Sequence, residues 1–124
     1  LKAGAKRALP LSVSVPSHCA LMQPAAEKLA VELQRITITA PKIPVINNVD
    51  VTMLTAADDI RDALVRQLYS PVRWTETVQL LASQGVVTLD EIGPGKVLTG
   101  LTKRIDKNLN GEAVNTVDAI VARS

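Results

Sequence analysis

The sequence predicts an α/β fold with a mostly parallel sheet, and three observations carry that prediction. Short strand-like stretches alternate with longer stretches whose apolar residues recur at helical spacing. Apolar residues make up 47% of the 124, enough for one core, yet Phe is absent and aromatics are only 2%, so Val, Leu, Ile and Ala must build it. No internal repeat, low-complexity tract or evident linker divides the chain.

The elements follow in order. In "LPLSVSV", Leu11, Val13 and Val15 share one face and Ser12 and Ser14 the other, which predicts a half-buried strand over 11–15. Leu21, Ala25, Leu29 and Leu33 then recur every four residues, widened by Met22, Ala26 and Ala30 into a helical stripe. Ser17 is the expected N-cap. Pro24 allows two readings: the helix begins near it, or an earlier turn from His18 bends there. "PVINNV" (44–49) reads as a short strand, and "ITITA" before it as a weaker one. Thr55 and Asp58 resemble a capping box ahead of a helix carrying Ile60, Leu64 and Leu68. After Pro71, Trp74, Val78 and Leu81 form the next stripe, ended by Gly85 at a C-cap position. "VVTLDEI" is a strand, "GPG" a tight turn, "KVLTGLTKRI" a helix, and "EAVNTV" a last strand before a short terminal helix.

Charge and cysteine content exclude several classes. Fourteen basic and twelve acidic residues leave a net charge of +2, and Trp74 and Tyr69 are the only aromatics. Neither a basic footprint nor a stacking platform for nucleic acid is present. No apolar run reaches the roughly 18 residues of a membrane span, and no signal peptide opens the chain. The single Cys19 excludes an internal disulfide. The expectation is a cytoplasmic protein. Because the chain opens on "LKAGAKRALP" and passes directly into a strand, it reads as the back half of a larger chain. Alone, it is expected to expose sheet edge and apolar surface and to aggregate.

His18 is the one histidine, just past the predicted end of a strand, where open α/β sheets gather ligands. A proton carrier and a packing residue are both compatible with that position. No second histidine exists, and Cys19 is adjacent rather than at ligand spacing, so no metal site is expected. Ser17 is a poor partner for a base at the neighbouring position, and no G-x-S-x-G elbow occurs. "EIGPGKVLTG" places a glycine turn between strand and helix, a possible phosphate cradle. A P-loop, however, needs glycine where Asp90 stands and Ser or Thr where Val97 stands. Lys6 and Arg7 precede the first strand as adjacent cations. A non-catalytic anion-binding module using Lys6, Arg7 and the "GPGK" turn is therefore the alternative to an enzyme.

"VSVPSHCALM", "PVINNVDV", "IRDALVRQLYSPVRWTETV" and "LDEIGPGKVLTGLTKRI", with "AKRALPL" before them, resemble in order and spacing the second half of bacterial malonyl-CoA:acyl carrier protein transacylases of enterobacterial type. The resemblance covers essentially the whole chain. It implies an α/β-hydrolase-like core bearing a ferredoxin-like small subdomain, with residues 1–15 ending the small subdomain and 16–124 returning to the core. It implies transfer of malonyl from malonyl-CoA to the phosphopantetheine thiol of acyl carrier protein in fatty acid biosynthesis, through a malonyl-serine and without a bound cofactor. His18 matches the family's general base and acid. Gln67 matches the position whose backbone carbonyl orients the imidazole in place of an acidic third member. Lys6, Arg7, Gly93, Pro94 and Gly95 match positions at the rim and mouth of the active-site gorge. The family's nucleophilic serine, its carboxylate-binding arginine and its oxyanion-hole glutamine belong to the first half. The resemblance therefore makes an N-terminal part of the same enzyme a required partner, and the chain alone is expected to be inactive.

Overall fold

The structure, a computed structural model, describes residues 4, 6–10 and 14–123. A 3-10 turn at Ala20–Met22 leads into helix α1, Gln23–Leu33. Pro24 lies in the first turn of α1, where its missing N–H has no intrahelical acceptor to lose, so it starts the helix rather than kinking it. The expected cap at Ser17 is not formed. The N-cap of α1 is Met22 and that of the 3-10 turn is Cys19, neither with a side-chain cap. The reason is local: His18 takes φ 61, and this left-handed residue turns the chain between Ser17 and the helix.

Helix α2 spans Ala57–Arg66, followed by α3 at Trp74–Ser83. The Thr55 capping box is also not formed; Ala56 is the N-cap, and Asp58 instead pairs with Arg61 at 2.8 Å. The acidic first turn, Asp58 and Asp59, still complements the positive end of the helix. Arg61 has a second use. Its Nε and Nη2 donate to the carbonyls of Leu33 and Ile36 at 3.0 and 2.9 Å, closing the end of α1 against α2. Gly85, at φ 85, ends α3 as expected.

Strand β1 (Thr88–Ile92), helix α4 (Val97–Ile105) and strand β2 (Asn110–Val114) form a βαβ unit. The two strands pair in parallel, from Thr88 opposite Asn110 to Ile92 opposite Val114. Helix α4 lies directly on β2: a Cβ at Gly111 would stand 3.0 Å from the Thr99 carbonyl oxygen and 3.1 Å from the Thr102 Cβ. Helix α5, Val117–Val121, closes the described chain, capped by the Thr116 hydroxyl accepting from the Ala119 N–H.

Several expected strands differ. The last begins at Asn110 rather than Glu112. Residues 44–49 form no strand; Ile46 makes a single antiparallel bridge with Met53, and "ITITA" forms none either. Asn47 explains the first of these. Its Oδ1 accepts from the Val49 and Asp50 N–H groups and its Nδ2 donates to the Thr52 carbonyl, so a side chain takes over what a ladder would supply. Of the strand expected over 11–15, residues 11–13 lie outside the described residues, and Ser14 and Val15 belong to no strand.

Among the described residues, the buried apolar ones are Ala26, Leu33, Ala63, Val78, Leu109 and Val114, aliphatic as composition requires. Buried Thr77 and Thr102 return their hydroxyls to carbonyls one turn back, at Arg73 and Leu98. Several large aliphatic side chains remain on the surface, among them Leu21, Ile43 and Ile92. No helix among the described residues is long and apolar enough to cross a membrane.

Candidate functional site

His18 is held at two points by the end of α2. Its backbone N–H donates to the Leu68 carbonyl at 3.0 Å, and its Nδ1 lies 2.9 Å from the Gln67 carbonyl oxygen. A carbonyl can only accept, so Nδ1 carries the proton and the neutral ring presents its lone pair at Nε2. Both carbonyls immediately follow α2. His18 is exposed, and Ser17, Met22, Asn48, Gln67 and Leu68 complete the lining of its cleft of about 260 Å³.

Asn48 and Gln67 also line a neighbouring apolar cavity of about 350 Å³, walled by residues such as Val45, Ile46, Leu54 and Leu64. The turn carrying Asn48 is tied down from three sides. Asn47 braces it internally, Arg73 donates its N–H to the Asn48 carbonyl and its Nη1 to that of Val49 (3.2 Å each), and Asp50 meets Arg66. The Arg66 guanidinium holds the Asp50 carboxyl below its ordinary value. The sequence pattern marks Leu68 only as an apolar helix residue and gives Asn48, Asp50 and Arg66 no site role. The one local signal was the Asn-Asn pair ahead of Asp50, which favours a side-chain-supported turn.

Gly93, Pro94 and Gly95 form the β1–α4 turn and do not line the His18 cleft. Gly93, at φ 147, is in a backbone region that favours glycine. The amino end of α4 is already occupied: Glu91 Oε2 accepts from the Thr99 N–H at 2.7 Å and from its hydroxyl at 2.8 Å. An internal carboxylate thus stands where a phosphate cradle would need vacancy, which counts against the anion-binding alternative. Lys6 and Arg7 are exposed and line neither cavity. The Thr99 N–H holds the Glu91 carboxyl below its ordinary value of 4.5. A depressed folded value makes the stabilisation complete above 4.5 and lost as pH falls through the folded value. Glu91→Gln is therefore expected to flatten the acid limb of stability against pH, measured by denaturant unfolding.

No family model matches the chain. Over 120 residues it is 67% identical to the malonyl CoA-acyl carrier protein transacylase of Escherichia coli (strain K12), a match covering 97% of this chain and 39% of that protein. This chain resembles one part of a malonyl CoA-acyl carrier protein transacylase. The transacylase of Haemophilus influenzae is 66% identical over 116 residues, 94% of this chain and 37% of the relative. The crystal structure of an acyl carrier protein S-malonyltransferase from Vibrio cholerae superposes with TM-score 0.91 at 64% identity, over 99% of this chain and 40% of that one. A malonyl-transacylase solved in complex with a type II PKS acyl-carrier protein superposes with TM-score 0.92 at 63% identity, over 98% of this chain and 39% of that one. The chain thus spans about two fifths of the length of the transacylases it matches.

Proposed function

We propose that the chain is the carboxyl-terminal part of an acyltransferase that moves malonyl from malonyl-CoA to the phosphopantetheine thiol of acyl carrier protein in fatty acid biosynthesis. The observation that carries this reading is the Nδ1 contact with the Gln67 carbonyl, which leaves Nε2 as a proton acceptor at a cleft. His18 Nε2 takes the proton of a serine hydroxyl supplied by the remainder of the enzyme as that oxygen attacks the malonyl thioester. The imidazolium then returns the proton to the departing CoA thiolate. In the second half-reaction Nε2 takes the proton of the phosphopantetheine thiol, whose sulfur attacks the malonyl-serine ester and restores the serine. Gln67 holds the ring through its backbone carbonyl. Lys6 and Arg7 serve CoA phosphates or the acidic carrier protein at the rim, and Gly93, Pro94 and Gly95 shape the mouth. Residues 1–15 finish a ferredoxin-like subdomain, and 16–124 complete an α/β-hydrolase-like core in a cytoplasmic enzyme. The exposed apolar side chains supply the surface that the rest of such an enzyme would cover.

Grafting this chain into the E. coli transacylase in place of its matching segment tests the reading. The chimera is expected to take up labelled malonyl on serine and pass it to acyl carrier protein, whereas the chain alone takes up no label. A folded chimera without transfer, or a stable adduct on the chain alone, overturns it.

A further inference from the structure

Arg66 joins the two lips of the His18 cleft. Its Nη1 and Nη2 donate to the two carboxylate oxygens of Asp50 at 2.9 and 2.7 Å, and its Nε donates to Asp62 at 2.6 Å. Asp50 belongs to the turn that carries Asn48, and its own N–H donates to Asn47 Oδ1 at 2.8 Å. Arg66 is the last residue of α2, and the carbonyls that hold His18 belong to the next two residues, Gln67 and Leu68. One guanidinium therefore links the Asn48 side of the cleft to the helix end on the other.

Two further observations show how closely this corner is determined. His18 at φ 61 and Val51 at φ 58 both occupy the left-handed region, which a β-branched residue such as Val51 enters only under constraint. Such backbone persists where the surroundings over-determine it. The Val51 N–H donates to the Asn47 carbonyl at 3.2 Å, inside the turn that the Asp50–Arg66 pair fastens. A solvent-exposed pair within one helix contributes little by itself. Two parallel N–H···O bonds between residues 16 apart, with both side chains about one-third exposed, fix an orientation as well.

We infer that Arg66 is a positioning residue: through its paired hydrogen bonds to Asp50 it fixes the end of α2, so that the Gln67 carbonyl selects the tautomer of His18 with the proton on Nδ1. The consequence for catalysis rests on the proposed transacylase role of His18. The tautomer itself does not.

His18 is the only histidine in the chain, so its ring nitrogens can be read without assignment after labelling with ¹⁵N-histidine. Above the titration of the ring, long-range ¹H–¹⁵N spectra of this chain are expected to show the Nδ1–H form in large excess. Arg66→Lys keeps the charge but loses the fork, and Asp50→Asn keeps the shape but loses the charge. Each is expected to lower the Nδ1–H to Nε2–H ratio by roughly fivefold, the effect of weakening one ordinary hydrogen bond. Glu32→Gln, which removes the α1 surface pair with Arg35, is the control and leaves the ratio unchanged. Circular dichroism establishes that the variants compared are folded, and two independent variants keep the comparison open if one is not. An unchanged ratio in a folded variant overturns the inference, as does a mixed population in the parent chain. If the ratio responds while the grafted transacylase is inactive, the functional reading falls and the positioning role stands.

Discussion

His18→Ala in the grafted transacylase is expected to slow malonyl transfer by about 10²–10⁴-fold, the usual contribution of a positioned acid–base group. The loss should fall on kcat with little change in KM for malonyl-CoA, because the proton is exchanged at Nε2 during bond making and the ring need not hold the ground-state thioester. Alanine also changes the backbone, since position 18 sits at φ 61. His18→Asn serves as the second variant, because asparagine tolerates the left-handed region while lacking a basic nitrogen. Both variants should lose activity to a similar extent. Steady-state transfer of labelled malonyl to acyl carrier protein measures it, and a loss below about tenfold in both removes His18 from the proton pathway.

The second large effect concerns stability. Leu109→Ala is expected to destabilise the chain by about 2–5 kcal/mol, the range found when a buried leucine is truncated. Leu109 is 3% exposed and immediately precedes β2, so its side chain anchors the return from α4 to the sheet. Asp106 shapes that return by accepting the Asn108 N–H on its carboxylate at 2.9 Å and the Leu109 N–H on its carbonyl at 3.3 Å. Val97→Ala on the other end of α4 is the comparison. Val97 is 72% exposed, and its truncation should change stability by no more than about 0.5 kcal/mol. Urea unfolding midpoints of the two variants measure the difference, and equal midpoints would contradict the packing described.

The long amphipathic patterns were the most legible part of the chain. Ile60 and Leu64 placed α2, Trp74, Val78 and Leu81 placed α3, and Gly85 marked where α3 stops. A residue's neighbours within one turn decide such features, so a window of sequence contains the information. Both predicted side-chain caps failed for a related reason. Ser17 and Thr55 have suitable side chains, but a cap also requires the chain to enter the helix there. The left-handed turn at His18 and the pairing of Asp58 with Arg61 arranged those entries differently. "PVINNV" likewise matched a strand by its apolar content, while Asn47 satisfied the backbone with its own carboxamide and left one bridge.

At the site, spacing pointed to His18 as a boundary residue and left its role open. Gln67 enters through family resemblance, Leu68 only as an apolar residue of a helical stripe, and nothing in the spacing gives Asn48 or Arg66 a place at the site. The β1–α4 turn was legible as a turn, but Glu91 reaching forward to Thr99 was not, and that contact is what counts against an anion cradle there.

By itself the sequence determined an aliphatic core, the helices α2 to α4, a parallel strand pair around α4, and one imidazole between elements. The tertiary structure alone decided what that imidazole faces, because the oxygen that fixes its tautomer lies 49 residues away along the chain. Residue preferences act over a few neighbours. A hydrogen bond between distant segments depends on how packing closes the chain between them, and no local pattern encodes that distance.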